Sequence, residues 1–201
     1  MKIITPPASE PITLEMARKQ CKVDAEGSPP THEDDDIIEL FVSAAREWCE
    51  AYLGRAVAPT LVEISLDAFP DAEITLESGP VLGVSGLYYL DEDGIEQTLD
   101  PSVYRLDTTE PVAVLRLNTD ESWPATENTT DAVRVQYTIG YSASGDSPQD
   151  APLPKSIQVA ILLLVAHLYE NRSNTVVQAL SNIPFGVTAF LSPLKLRKGF
   201  A

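Results

Sequence analysis

Thr31-His32-Glu33-Asp34-Asp35-Asp36-Ile37-Ile38-Glu39-Leu40-Phe41-Val42-Ser43-Ala44-Ala45-Arg46-Glu47-Trp48-Cys49-Glu50-Ala51-Tyr52-Leu53-Gly54 is the stretch on which the fold reading turns. A threonine cap precedes acids crowded into the first turn, where the positive end of the helix dipole favours them. Ile37, Phe41, Ala44, Ala45, Trp48 and Tyr52 then recur at helical spacing, and Glu39, Ser43, Arg46, Glu47 and Glu50 fall mostly on the other side. Gly54 supplies the stop. The pattern predicts one amphipathic helix of about five turns.

Upstream, Thr13 is placed to cap a shorter helix whose Leu14, Ala17 and Cys21 share a face, and Gly27-Ser28-Pro29-Pro30 separates the two helices. Downstream the period changes from helical to alternating. Strands are expected over Leu61–Leu66, Glu73–Leu76, Val84–Leu90, Ile95–Leu99, Val103–Leu106, Val112–Leu117 and Val133–Ile139. Asp91-Glu92-Asp93-Gly94 reads as a hairpin turn with glycine where φ must be positive. Helix returns near Pro154, and Ile157 to Glu170 is almost wholly apolar, so it must be covered on all sides, within the subunit or by a neighbour. The tail from Thr175 is apolar yet broken by Pro184, Gly186, Pro193 and Gly199. It reads as a docking arm, with folding back over its own core as the alternative.

The expected fold class is therefore α+β: a helical core of N-terminal helices plus a long apolar C-terminal helix, an inserted antiparallel β module and an extended C-terminal tail. The division is 1–58 (N-terminal helices), 59–150 (β module), 151–174 (apolar helix) and 175–201 (tail). Ile37, Phe41, Trp48, Tyr52, Ile161, Leu164 and Leu168 are the candidate core or interface positions on the helices.

Charge follows the same division. The chain has 201 residues and a net charge of −16, split as −5 over 1–58, −15 over 59–150 and +4 over 151–201. An acidic middle disfavours a protein that grips phosphates, and a basic end beside it suggests a different partner there. Met1 to Pro11 lacks the pattern of a secretory signal. The longest apolar run, Val159–Ala166, is far short of the roughly 20 residues that span a bilayer. A soluble protein made inside the cell is expected. The two cysteines, Cys21 and Cys49, have no metal spacing and are expected to stay reduced.

Chemistry-bearing motifs are scarce. Asp34, Asp35 and Asp36 are consecutive on a helix and diverge, so helix-start electrostatics explain them better than a metal. Asp91-Glu92-Asp93-Gly94 lacks the later ligands of a calcium loop. His32 and His167 stand alone, and no nucleophile elbow, phosphate loop or His-Glu-x-x-His run occurs. No catalytic residue, cofactor or metal is expected.

Pro11-Ile12-Thr13-Leu14-Glu15-Met16-Ala17 resembles the start of the head–tail connector (adaptor) family of long-tailed phages and gene-transfer agents. So does Asp34-Asp35-Asp36-Ile37-Ile38 leading into Ala44-Ala45-Arg46-Glu47-Trp48-Cys49-Glu50-Ala51-Tyr52-Leu53-Gly54-Arg55. Asp100–Asp107 and Val133–Tyr141 are similar to the inserted β part of one branch, and Pro152–Arg172 is the nearest stretch of all. The resemblance implies a non-enzymatic virion neck subunit: a homo-oligomeric ring of about twelve copies between portal protein and tail. It also implies a stopper or tail-completion protein on the other face, DNA passing through without specific binding, and no membrane. On that basis Phe185, Phe190, Leu191, Leu194 and Phe200 are expected to anchor the tail in the portal, with Lys195, Arg197 and Lys198 meeting acids there. The rival readings are a stopper or tail-completion neck protein, a small hydrolase whose carboxylates converge only on folding, and a monomeric acidic binding module.

Overall fold

The computed structural model describes residues 1–109, 112–142, 151–172 and 185–195. The chain divides into two units, 1–8 with 58–152 and 9–57 with 153–201.

The first unit is built on strand β8 (Val133–Ile139), where Val133, Val135, Tyr137 and Ile139 are buried and the residues between them half-buried. That period of two lets one face join a core while the other stays polar. The strand order is β1-β2-β8-β4-β5, antiparallel throughout, with β1 Lys2–Thr5, β2 Thr60–Leu66, β4 Val81–Leu90 and β5 Glu96–Thr98. Val62 faces Tyr137 across the β2–β8 ladder. Register shifts between Val81 and Gly83 and between Val84 and Gly86 bend the long β4. A second antiparallel sheet, β3-β7-β6, joins Glu73–Leu76, Ala113–Leu117 and Tyr104–Asp107. Arg116 on β7 ties its neighbours through Glu73 and Asp107 at 2.8 and 3.2 Å.

In the second unit, α1 (Leu14–Cys21) is capped by Thr13, whose hydroxyl accepts from the Met16 amide at 3.3 Å. α2 (Asp35–Leu53) ends at Gly54 with φ 69°. α3 spans Lys155–Glu170, with Pro154 as its flanking residue, and α4 (Phe185–Leu191) continues into a 3-10 turn over Ser192–Leu194. The buried apolar set is Ile12, Ala17, Ile38, Val42, Ala45, Cys49, Leu53, Val57, Ile157, Ala160, Ile161, Leu164, Val165, Val187 and Leu191.

The architecture differs from the one expected. α3 has sixteen residues, about 24 Å of helix, so among the described residues there is no long apolar C-terminal helix, and the core predicted around one is replaced by the packing of the four helices α1 to α4. Nor is α3 covered all round, since Val159 is 39% exposed. The C-terminal segment is not extended where it is described. It coils into α4 because Val187 and Leu191 bury completely and Pro193 is tolerated in the short 3-10 turn. The β part is two sheets, and its first strand comes from the N-terminus. β1 escaped notice because it joins the sheet through backbone pairing alone: all four of its residues are exposed, so no burial pattern marks it.

Gly140, at φ 120°, is where β8 leaves the sheet beside the start of β2. A Cβ there would lie 2.4 Å from the Ala58 carbonyl oxygen, a backbone atom that cannot move aside cheaply. Gly140→Ala is expected to cost at least roughly 1–3 kcal/mol. Gly83→Ala, with open space at its Cβ position, should stay within about 0.5 kcal/mol of wild type. Urea unfolding midpoints of the two variants check this.

Candidate assembly surface

α2 carries three faces, not two. Ile38, Val42, Ala45, Cys49 and Leu53 form the buried stripe, one position on from the stripe read as Ile37, Phe41, Trp48 and Tyr52. Those four are half-buried and flank the buried stripe, and beyond them Ala44 and Ala51 are exposed and Leu40 is 60% exposed. Glu39, Ser43, Glu47 and Glu50 occupy the third face. At the C-terminal end of the flank, Trp48 and Tyr52 stack at 5.3 Å, and the Lys195 ammonium sits 4.8 Å from the centre of the Tyr52 ring.

On α3, Ile161 and Leu164 are buried and Leu168 is half-buried. The opposite face holds Lys155, Val159, Leu162 and Ala166, with Lys155 and Val159 exposed. Of the expected docking residues, Leu191 is fully buried, Leu194 half-buried, Lys195 exposed over Tyr52 and Phe190 43% exposed. Phe185 opens α4. Its side chain, and Arg197, Lys198 and Phe200, lie outside the described residues.

The triple acid at the start of α2 is spent on structure. Arg18 Nε and Nη2 donate to the two carboxylate oxygens of Asp35 at 2.7 and 2.5 Å, and the His32 amide donates to the same carboxylate at 2.8 Å. Asp34 accepts from the Tyr169 hydroxyl at 2.6 Å and from Arg172 at 2.8 Å, while its own amide donates to His32 Nδ1. One aspartate thus fastens α1 and its neighbour fastens the end of α3, a pairing across more than 130 residues that no local pattern announces. A second hub is Arg46, buried and donating to Glu10 at 2.8 Å and to Glu50 at 2.7 Å, with Glu50 also accepting from the Val57 amide.

Acid chemistry follows from these contacts. The Tyr169 hydroxyl and then Arg172 hold Asp34 below the ordinary aspartate value, and Arg18 and then the His32 amide do the same for Asp35. Asp91 is lowered by Gln97 and by the amides of Ile95 and Asp93, which is turn chemistry. Burial pushes the Cys49 thiol up to about 12, far from a reactive thiolate at neutral pH. Among the described residues, no group of three or more His, Cys, Asp or Glu side chains is placed to hold a metal.

No family model and no curated protein sequence matches the chain. Solved structures do, among them chains of gene-transfer-agent particles. A chain of the neck of an empty gene-transfer-agent (GTA) particle, computed with C6 symmetry, aligns at TM-score 0.72 and 18% identity over 100% of this chain and 98% of that one. The fold is that of a gene-transfer-agent neck chain. A chain of the native GTA virion aligns at 0.71 and 20% identity over 98% of each. A chain of the native GTA neck computed with C12 symmetry aligns at 0.67 and 21% identity, over 100% and 98%.

Two outcomes are expected. Ile161→Asp should prevent folding because Ile161 is fully buried, whereas Phe41→Asp should give a soluble, cooperatively unfolding protein. Circular dichroism melts distinguish them. Asp34 and Asp35 have lowered folded-state pKa values, so their stabilisation is present above the unfolded value of 3.8 and is lost as pH falls through the lower folded values. The melting temperature of the wild type should drop on acidification below pH 3.8. That of Asp34→Asn with Asp35→Asn should start lower and change less across the same window.

Proposed function

We propose that the chain is a structural head–tail adaptor, a ring-forming neck subunit of a gene-transfer-agent or phage-like particle, and not an enzyme. The observation that carries this is the shared fold over 98–100% of both chains with neck proteins of GTA particles, including a neck computed with C12 symmetry. In this reading about twelve copies stand between portal and tail, and a stopper or tail-completion protein occupies the far side. Residues 175–201 dock on the portal. Val187 and Leu191 hold α4 against its own subunit, so the docking contacts fall to Phe190, to Lys195 and to the residues beyond. The strongly acidic segment 59–150 supports passage of DNA without capture, since like charges repel. Absence of activity is consistent with carboxylates whose resolved shifts are all downward among the described residues, the reverse of a general acid raised toward neutrality.

Light scattering on the protein alone and then mixed with its particle's portal tests this. A ring-sized species, or a stoichiometric complex formed with the portal, is the expected result. A chain that ignores the portal but binds an assembled neck would make it a stopper or tail-completion protein. Removing residues 196–201 together with Phe190→Ser and Lys195→Ser, both exposed positions, should leave a folded subunit while abolishing portal binding; normal binding by that variant would reject the docking role of the tail.

A further inference from the structure

A cyclic ring of more than two copies cannot be closed by one self-complementary patch. It needs two different patches on each chain that fit one another head to tail. The second unit presents two such candidates on separate helices.

On a wheel of 3.6 residues per turn, the apolar arc of α2 runs from Leu40 through Ala44, Ile37, Trp48 and Phe41 to the buried stripe, roughly 220° in all. An amphipathic helix in a single core needs an arc little wider than about 100°. The surplus is the half-buried and exposed flank, with Leu40 at 60% exposure on its outer margin and the exposed acids Asp36 and Glu47 bordering it. α3 has a surplus of its own: Val159, Leu162 and Ala166 recur on the face opposite Ile157, Ile161 and Leu164. At the foot of that face, four residues before Val159, stands the exposed Lys155.

We infer that the α2 flank of one copy packs on the outer α3 face of the next, so that Leu40, Phe41 and Trp48 meet the neighbour's Val159, Leu162 and Ala166. Lys155 of one copy lies toward Asp36 of the other. The occupant of each face is thus a second copy of this chain. Charge complementarity favours that choice: the α2 flank is edged by two acids, and the α3 face by Lys155 at one end and the exposed Glu170 at the other, so α2-to-α2 pairing sets only acids together whereas α2-to-α3 pairing brings a cation to them. The inference rests on the ring reading above and adds its contact geometry. Ile161 and Leu164, by contrast, are consumed inside the subunit and contribute nothing between copies.

The test uses Leu40→Glu and Val159→Glu, both at exposed positions that leave the fold intact, with the wild type as reference under conditions where it assembles, alone or on the portal. Each variant by itself should lose the ring. An equimolar mixture should give one-to-one heterodimers and nothing larger, because one intact α3 face meets one intact α2 flank. Leu40→Cys with Val159→Cys in one Cys21→Ser chain should give a bis-maleimide ladder extending beyond dimer, and neither single cysteine variant should. Rings formed by either glutamate variant overturn the pairing while leaving the ring reading intact, as does a mixture that stays monomeric or a ladder that stops at dimers from one single-cysteine variant. A wild type that forms no ring even with portal removes the ring reading, and the pairing with it.

Discussion

One constraint governs the second unit: α2 has more apolar circumference than the described residues cover. Ile38, Val42, Ala45, Cys49 and Leu53 are buried completely or nearly so, and this stripe positions α1 and α3 around α2. What remains is an apolar flank edged with acids. Hydrophobic burial is non-directional and scales with area, so uncovered area of this kind is stored association energy. The buried stripe and the uncovered flank are therefore two faces of a single helix, separated by a rotation of about 100°, one residue in sequence.

Charged side chains lock that helix in place. Asp35 to Arg18, Asp34 to Tyr169 and Arg172, and Arg46 to Glu10 and Glu50 join segments distant in the chain. Each carboxylate is satisfied by several donors, which is the condition under which a partly buried charge is tolerable. An acid cluster that might have suggested metal or catalytic chemistry is instead structural, and its lowered pKa values say the same. The Asp34 pairs reach Arg172, the last described residue before 173–184, and so fix the point from which the tail departs.

The β unit obeys a different logic. β8 is central and alternates strictly, while β1 is held by backbone bonds to β2 with its side chains outside. Tight backbone approach at Gly140 beside Ala58 sets how β8 leaves the sheet. The acids on its strands are mostly half-buried and paired, Glu63 with Arg134 and Glu73 and Asp107 with Arg116, while Glu96 is exposed.

Much of this was legible from residues alone. Seven strands, the end of α2 at Gly54 and the hairpin turn at Asp91–Gly94 follow from local period, capping and turn chemistry, which are properties of a few neighbouring residues, whereas α2 starts after Asp34 and not at the Thr31 cap. Other features were out of reach of local pattern. β1 has no burial signature, α4 hides behind helix-breaking residues, and the division into two sheets depends on which strands pair. The choice between Ile37 and Ile38 as the inward residue of α2 also lay beyond the sequence, because both neighbours are isoleucine and a broad apolar arc fits either rotation. Only packing against α1 and α3 decides which stripe is inside, and that decision in turn leaves Leu40 exposed and Phe41 and Trp48 half-buried. Sequence determined the elements because their signals are local; tertiary structure decided their faces because burial is settled by what lies across the contact.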